Sequence, residues 1–539
     1  MTNTFGVMLD CSRNAVMKLP QLKKFLTLLH RLGYNSVQLY TEETYEIDGE
    51  PYFGYMRGRY TKEELKELDC FCRDLGMELI PCIQTLAHLN QIFRWPDYNA
   101  INDADDILLA EDPRTYQLLD NAFRTLSETF TSRKVNIGMD EAHMLGLGRY
   151  LDLHGYTDRF QIMTNHLQKV VEIAGKYGFS PMMWSDMYFR LINQGGYYGE
   201  GDNAEKQSFC AQIAQMLPAG VTPIYWDYYH TDEATYEKMI DMHRLFGRPM
   251  AFAGGAWVWK GFCPDNQYSF QTMLPAMRMC RKKNVETVFI TLWGDNGKEC
   301  SFYAALPALF AIRQFYDGNE DMADIGDKFA QIVGVPFDAF VSLDELDKVG
   351  IPGRKVCNPT KYMLYNDPFL GQFDSTVSGG EGNRCAQLAQ QYRQFRDSYP
   401  QYGYLFDNYY HLARVMELKY ELGVHLRSAY RSGDKDRLTA LYRDLLETAD
   451  RLQAFISVFC RLWNEENKPF GLEVQQLRLG GLHCRLLCCA EKLNAYLKGE
   501  IPEIEELSFD ILDVQADPNH RGHALYCNNW SRTVSPSVV

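Results

Sequence analysis

Residues 6–40 read GVMLDCSRNAVMKLPQLKKFLTLLHRLGYNSVQLY, and the fold turns on how this stretch is parsed. Gly6 to Asp10 and Ser36 to Tyr40 are short apolar runs with strand character. Between them, over Leu19 to Leu32, the residues Leu22, Phe25, Leu26, Leu29 and Leu32 recur at helical steps. The order is strand, polar loop, helix, strand. Working outward, the same unit returns through Glu78 to Gln84, Val135 to Glu141, Pro181 to Asp186, Pro223 to Tyr229, Ala251 to Trp259 and Thr287 to Asp295. Helical stretches such as Leu118 to Phe130 lie between these runs. Near-continuous apolar strands alternating with amphipathic helices imply a parallel sheet covered on its outside, and eight units are the number that closes a (β/α)8 TIM barrel. An α/β barrel over residues 1–318 is therefore expected. A doubly wound open sheet is the runner-up, but no GxGxxG follows the first strand and no GxxxxGK[ST] occurs in the chain.

From about residue 320 the strand-like runs stop. Leu405, Tyr409, Leu412, Val415, Leu422 and Leu426 keep one helical face apolar, and Leu438, Leu441, Leu445, Leu452 and Phe455 continue it. An all-α domain over 319–539 follows. Asn358 to Gly382 lacks helical periodicity and reads as a connector, whose Tyr362, Tyr365, Phe369 and Phe373 suggest packing on something. The segment from Asp517 onward reads as loosely ordered.

Of 539 residues, 46% are hydrophobic and 23% charged, the balance of a folded globular chain. Its 55 Lys+Arg against 70 Asp+Glu leave a formal charge of −15, which repels phosphate backbones and anionic lipid. Neither nucleic acid nor membrane is an expected partner. No stretch approaches the roughly 18 apolar residues of a membrane span, and the N-terminus lacks the basic and apolar regions of a signal peptide, so a cytoplasmic location is expected. The 15 cysteines contain no CxxC, and Cys70-Phe71-Cys72, Cys82 and Cys488-Cys489 sit in apolar runs that suit reduced core thiols. His483, Cys484 and Cys488 do not converge on one helical face, so no metal is expected.

A barrel places its chemistry at the C-terminal ends of its strands. Those ends carry Asp10 with Arg13, Glu42 and Glu43, Gln84 with His88, Asp140 and Glu141, Trp184 with Asp186, Asp227 with Tyr228 and Tyr229, Trp257 with Trp259, and Trp293 with Asp295. Trp226 adds a fifth tryptophan to the same rim. In Val135-Asn136-Ile137-Gly138-Met139-Asp140-Glu141-Ala142-His143, two adjacent carboxylates leave the fourth strand and face different ways, so they can address two atoms of one bound molecule. In a glycosidase one carboxyl must be protonated to help the leaving oxygen depart while another stabilises positive charge at the sugar carbon. Tryptophan faces supply walls for the apolar faces of a sugar ring.

These residues resemble those of the family 20 glycoside hydrolases, the β-N-acetylhexosaminidases. The resemblance covers roughly residues 5 to 318, and the helical tail resembles that of a bacterial branch of the family. It rests on Leu9-Asp10-Cys11-Ser12-Arg13, His88, Gly138-Met139-Asp140-Glu141, Met183-Trp184-Ser185-Asp186, Trp226-Asp227-Tyr228-Tyr229 and Leu292-Trp293-Gly294-Asp295, in that order along the chain. It implies exo-acting, substrate-assisted hydrolysis of a terminal β-linked GlcNAc or GalNAc, in which the substrate's acetamido oxygen attacks C1 and forms an oxazolinium ion. Asp140 then orients the acetamido N–H, Glu141 serves as acid and base, and Tyr228, more than Tyr229, hydrogen-bonds the acetamido oxygen. Trp184, Trp257 and Trp293 enclose the acetamido methyl and the ring, Asp295 binds sugar hydroxyls, and no cofactor is required. Two departures bear on sugar recognition: Phe5 stands before Gly6 where many members have Arg, with Arg13 as a replacement, and Asp295 stands where they have Glu.

Structural readings stand beside these. Asp10 and Arg13 can form a barrel-mouth ion pair instead of touching sugar, and His88 can orient a carboxylate without moving protons. Trp226 and Trp259 can face away from the pocket, while Glu42 is the better of the Glu42–Glu43 pair for a place at the site. A conventional retaining glycosidase with Asp227 or Asp295 as nucleophile, and a sugar-binding barrel without catalysis, are the competing functions. No Lys sits at the end of a strand interior to serve as a Schiff base. A homodimer is the expected assembly, if any.

Overall fold

The structure is a computed structural model that describes residues 4–192, 197, 203–350, 358–513 and 530–534. The segment from Asp517 lies outside these residues except for 530–534. Eight parallel strands, β1 (Thr4–Asp10), β2 (Ser36–Tyr40), β3 (Glu78–Cys82), β4 (Lys134–Asn136), β5 (Ser180–Trp184), β6 (Thr222–Trp226), β7 (Ala251–Gly255) and β8 (Thr287–Leu292), close a barrel in sequence order. β8 pairs with β1 from Thr4↔Thr287 to Leu9↔Leu292. The strands are buried along nearly their whole length, as expected when helices cover the outside and side chains fill the inside. The (β/α)8 barrel expected from the sequence is the fold of this chain.

Helix boundaries follow local chemistry. Thr61 and Glu64 form a reciprocal capping box at the start of Lys62–Asp74, with Glu64 N donating to Thr61 Oγ1 at 3.1 Å and Thr61 N to Glu64 Oε2 at 2.9 Å. The helix read from Leu118 to Phe130 starts earlier, at Pro113, because Asp112 caps it and Pro suits its first turn. Phe5 is fully buried against Tyr34 and Tyr316, with the Arg313 guanidinium 4.9 Å from its ring centroid. That position is therefore part of the packing around the barrel.

The apolar runs overestimate six strands at their C-terminal ends. The largest correction is β4, which ends at Asn136, five residues before Glu141. Its continuation keeps apolar Ile137 and Met139, but Gly138, Met139 and Glu141 all adopt left-handed backbone, with φ of +70°, +71° and +51°. No strand can contain that sequence of angles.

The chain forms two compact units. The first comprises Met1–Ala256, Gln267–Trp293 and Ala308–Lys328, and the second Trp257–Asn266, Gly294–Pro307 and Phe329–Val539. The second is built on the helices Glu381–Ser398, Gly403–Ser432, Lys435–Glu466 and Leu472–Leu497. Within it, Tyr409 Oη donates to Phe262 O at 2.9 Å, while Gln475 Nε2 donates to Gly297 O at 2.8 Å and Arg478 to Asn296 O at 2.5 Å. The loops after β7 and β8 are thus tied to the long helices. The connector read as non-helical contains the short helix Pro359–Tyr365, and its Tyr362, Phe369 and Phe373 are buried. Among the described cysteines, Cys72, Cys82 and Cys489 are buried as expected, but Cys70, Cys484 and Cys488 are exposed. Among the described residues no helix is long and apolar enough to cross a membrane, and no cluster of three or more His, Cys, Asp or Glu is placed to hold a metal.

Two histidines of the first unit are buried in neutral surroundings. His166 Nε2 lies 2.8 Å from Thr85 O, and His243 Nε2 lies 2.7 Å from Ser185 Oγ. Burial depresses both pKa values to about 4. In the unfolded chain they titrate near 6.5. Below that pH the unfolded state binds protons that the folded state refuses, so stability present above pH 6.5 is lost as the pH falls toward 4. Between pH 7 and 5 the loss is expected to be about 2 kcal/mol per ring. Urea unfolding of wild type and His166→Gln at the two pH values checks this: every other titrating group affects both proteins alike, so the wild type should lose about 2 kcal/mol more than the variant, and equal losses overturn it.

Candidate active site

The left-handed turn after β4 is held from both sides. Asn136 Oδ1 accepts from Gly138 N at 3.1 Å, Thr85 Oγ1 donates to Ile137 O at 2.8 Å, and Gly138 O accepts from Trp184 N at 3.2 Å. Gln84, just beyond β3, does most to shape it: its Oε1 accepts from Met139 N at 3.1 Å and its Nε2 donates to Asp140 Oδ1 at 2.7 Å. A Cβ at residue 138 would stand 2.0 Å from Gln84 Oε1, so glycine is required there by space as well as by φ. The turn leaves Asp140 almost buried and Glu141 with 41% of its side chain exposed.

His88 lies between the two carboxylates. Its Nε2 is 3.2 Å from Asp140 Oδ2 and 3.9 Å from Glu141 Oε2, close ion-pair contacts without a well-aligned hydrogen bond. Its backbone N donates to Asp106 Oδ2 at 3.0 Å, and φ of +59° holds the residue in the left-handed region. Burial opposes a charge on the ring, but Asp140 and Glu42 outweigh it and lift the His88 pKa to about 10. Burial likewise opposes charge on Asp140; the His88 cation, with the hydrogen bond from Gln84, prevails and lowers its pKa. Asp140 is thus kept as an anion and His88 as its cation across neutral pH.

A polar chain continues around the barrel mouth. Gln84 Nε2 also donates to Tyr40 Oη at 2.9 Å, and Tyr40 Oη donates to Glu42 Oε1 at 3.0 Å. Arg13 lies 3.0 Å from Glu42 and 3.6 Å from Asp10 Oδ2, with its guanidinium 5.6 Å from the Tyr40 ring centroid. Asp10 Oδ1 accepts from Ser12 N, Ser12 Oγ and Arg13 N. Burial raises the Glu42 pKa to about 7 despite Arg13 and His88. Asp10, Arg13, Glu42, His88 and Asp140 therefore form one connected network, with Asp10 and Arg13 in the ion pair that the sequence left as an alternative.

The aromatic wall in the first unit comprises Trp184, Trp293, Tyr228 and Trp226. Trp184 and Trp293 have ring centroids 6.2 Å apart, Trp293 meets Tyr40 edge-on at 4.8 Å, and Trp293 Nε1 donates to Tyr228 Oη at 3.1 Å. Tyr228 stacks on Trp226 at 5.5 Å and tilts against Tyr229 at 4.8 Å. Asp227, by contrast, is turned inward. Its Oδ1 accepts from Tyr229 N and His230 N, while its Oδ2 lies 2.8 Å from Tyr225 Oη and 2.7 Å from His230 Nδ1. Its carboxylate is spent on the loop that presents Tyr228. Trp257 and Asp295 belong to the second unit, where Trp257 stacks on Trp259 with centroids 4.2 Å apart and Asp295 opens the 3-10 turn Asp295–Gly297.

Of two neighbours of Glu141, Asp186 was read from the sequence only as a strand-end carboxylate beside Trp184, and Arg190 was not singled out. Asp186 Oδ2 accepts from Glu141 N at 3.2 Å and from Arg190 Nε at 3.0 Å, and Arg190 Nη2 stands 3.6 Å from Glu141 Oε1. Burial first, then Asp140, lifts the Asp186 pKa to about 7 despite Arg190. The signal available was the i, i+4 spacing of Asp186 and Arg190 at the start of the helix after β5.

Residues 338–526 match the family described as the Glycoside Hydrolase 20C C-terminal domain. A β-hexosaminidase of Akkermansia muciniphila is 24% identical over 326 residues, covering 48% of this chain and 64% of that protein. Human hexosaminidase D is 21% identical over 257 residues, covering 46% of this chain and 49% of that protein. The chain thus spans 64% and 49% of the length of these two curated relatives. Among solved structures, an exo-β-N-acetylglucosaminidase of Vibrio harveyi in complex with N-acetylglucosamine has a TM-score of 0.46 at 14% identity, covering 62% of this chain and 58% of that one. The chain is thus similar to a family 20 glycoside hydrolase C-terminal domain over residues 338–526, and at low identity to curated hexosaminidases.

Proposed function

We propose that the protein is an exo-acting β-N-acetylhexosaminidase that removes a terminal β-linked GlcNAc or GalNAc by substrate-assisted catalysis with retention. The observation that carries the reading is the division of labour in the Asp140–Glu141 pair: one carboxylate is almost buried and paired with a cationic His88, while its neighbour is open to the mouth. A fixed anion suits an acetamido N–H that gains positive charge as its oxygen attacks C1. An accessible carboxyl suits proton transfer to a departing oxygen and, in the second step, from water. Tyr228 bonds the acetamido oxygen, Trp184 and Trp293 wall the acetamido group and ring, and Arg13 and Glu42 reach the sugar hydroxyls. Trp257 and Asp295 are assigned to the ring and its hydroxyls by resemblance.

The conventional retaining scheme needs a second carboxylate about 5 Å from the acid and available to attack. Asp227, engaged by two backbone amides, Tyr225 and His230, is poorly suited to that role. Nine of the thirteen described cysteines are buried, which suits reduced core thiols and supports a cytoplasmic reading. The test is nitrophenol release from the aryl β-glycoside of N-acetylglucosamine, with and without the thiazoline that mimics the oxazolinium ion. Hydrolysis blocked competitively by the thiazoline is expected. A folded protein that turns over neither the gluco nor the galacto substrate would overturn the reading.

A further inference from the structure

A cavity of about 760 Å³ is lined by, among others, His143, Asp158, Arg159, Phe160, Met187 and Arg190. Arg190 ties it to the catalytic pair, standing 3.6 Å from Glu141 Oε1. None of the aromatic residues assigned to the acetamido sugar lines it. Because the acid must stand on the side of the departing oxygen, a cavity joined to Glu141 through Arg190 and avoiding Trp184, Trp293 and Tyr228 is suited to the leaving group.

Its charges are unevenly matched. Arg190 is shared between Asp186 at 3.0 Å and Glu141. The Asp158 carboxylate accepts from Phe160 N at 2.9 Å and Gln161 N at 3.3 Å, capping the helix Arg159–Lys176. His143 is held neutral, since burial lowers its pKa and outweighs Glu141. Arg159 is different. Its Nη2 donates to Ala142 O at 3.4 Å and His143 O at 2.5 Å, its Nε is buried without a partner, and no carboxylate pairs with it among the described residues. Two backbone carbonyls fix the guanidinium without neutralising it. Arg with its planar fork of donors is suited to a carboxylate or sulfate.

We infer that this cavity is a leaving-group subsite selective for an anionic aglycone, such as a uronic acid or sulfated sugar, and that Arg159 is the residue that recognises its charge. The inference rests on the hexosaminidase reading and names the class of glycan that the same site takes.

Three substrates test it: GlcNAc β-1,4-linked to glucuronic acid, GlcNAc β-1,4-linked to glucose, and the nitrophenyl glycoside. The quantity read is the ratio of kcat/KM between the two disaccharides, which cancels any general effect of a substitution on the catalytic pair. The wild-type ratio is expected to favour the glucuronate by about tenfold at low salt and to shrink at about 0.5 M NaCl. Arg159→Gln should bring it to about one. A wild-type ratio near one, or a preference that survives Arg159→Gln, overturns the inference while the nitrophenyl activity keeps the hexosaminidase reading intact. Turnover of none of the three removes both. Should Arg159→Gln fail to fold, the salt dependence of the wild-type ratio decides, a salt-independent preference counting against the charge.

Discussion

Asp140→Asn is expected to lower kcat/KM on the aryl β-N-acetylglucosaminide by about a thousandfold, in the range found when a preorganised electrostatic partner is removed from a transition state. Asparagine keeps the size of the side chain and still accepts from Gln84, so the turn after β4 has no reason to collapse. The charge is what disappears. In the wild type that charge faces His88 at 3.2 Å and is kept ionised by it. An amide offers no anion to the acetamido nitrogen as the oxazolinium ion forms. Thiazoline binding should weaken along with kcat/KM, because inhibitor and transition state share the same positive charge. His88 should respond as well: without the anion that lifts it to about 10, its ring should titrate nearer the ordinary histidine range, which an NMR pH titration of the two proteins can follow. Retention of more than about a tenth of wild-type kcat/KM would falsify the role given to Asp140.

How much of this was legible in the sequence depended on whether a feature is set by neighbours in the chain or by neighbours in space. β2, read as Ser36 to Tyr40, is found as Ser36–Tyr40, and the helix read from Leu19 to Leu32 is Leu19–Arg31. In both, local periodicity and punctuation decide the outcome. The end of β4 is not of that kind. Ile137 and Met139 continue the apolar pattern, and only Gln84 from the loop after β3, with Asn136 and Trp184, shows why the backbone turns left-handed after Ile137. The carboxylate pair was found, but the reason its members face differently was misread as strand alternation.

What Asp227 meets was illegible for a similar cause. A carboxylate at a strand end looks the same in sequence whether it meets substrate or binds the amides two and three residues on, as Asp227 does. Nor could periodicity show that the loops carrying Trp257 and Asp295 belong with helices more than a hundred residues later, because Tyr409, Gln475 and Arg478 reach them through single hydrogen bonds to backbone carbonyls. Such bonds leave no compositional trace.

Glu141→Gln is expected to show losses that depend on the leaving group, and this dependence distinguishes a proton donor from a residue that merely shapes the site. A nitrophenolate departs with little protonic help, so the first step on the aryl glycoside should survive largely intact. The second step still needs a base to activate water, and turnover should fall by about a hundredfold. A disaccharide needs both the acid and the base, and its loss should approach ten thousandfold. Glutamine keeps the backbone amide bonded to Asp186, and Arg190 retains its Asp186 partner, so the local frame stays in place. Azide needs no general base. It should therefore restore aryl glycoside turnover in Glu141→Gln and yield the β-glycosyl azide, because the acetamido oxygen occupies the opposite face of C1 in the intermediate. Equal losses on both substrates would remove Glu141 from the acid role. An α-azide would remove the oxazolinium intermediate and reopen the case for direct attack of water on C1 with inversion.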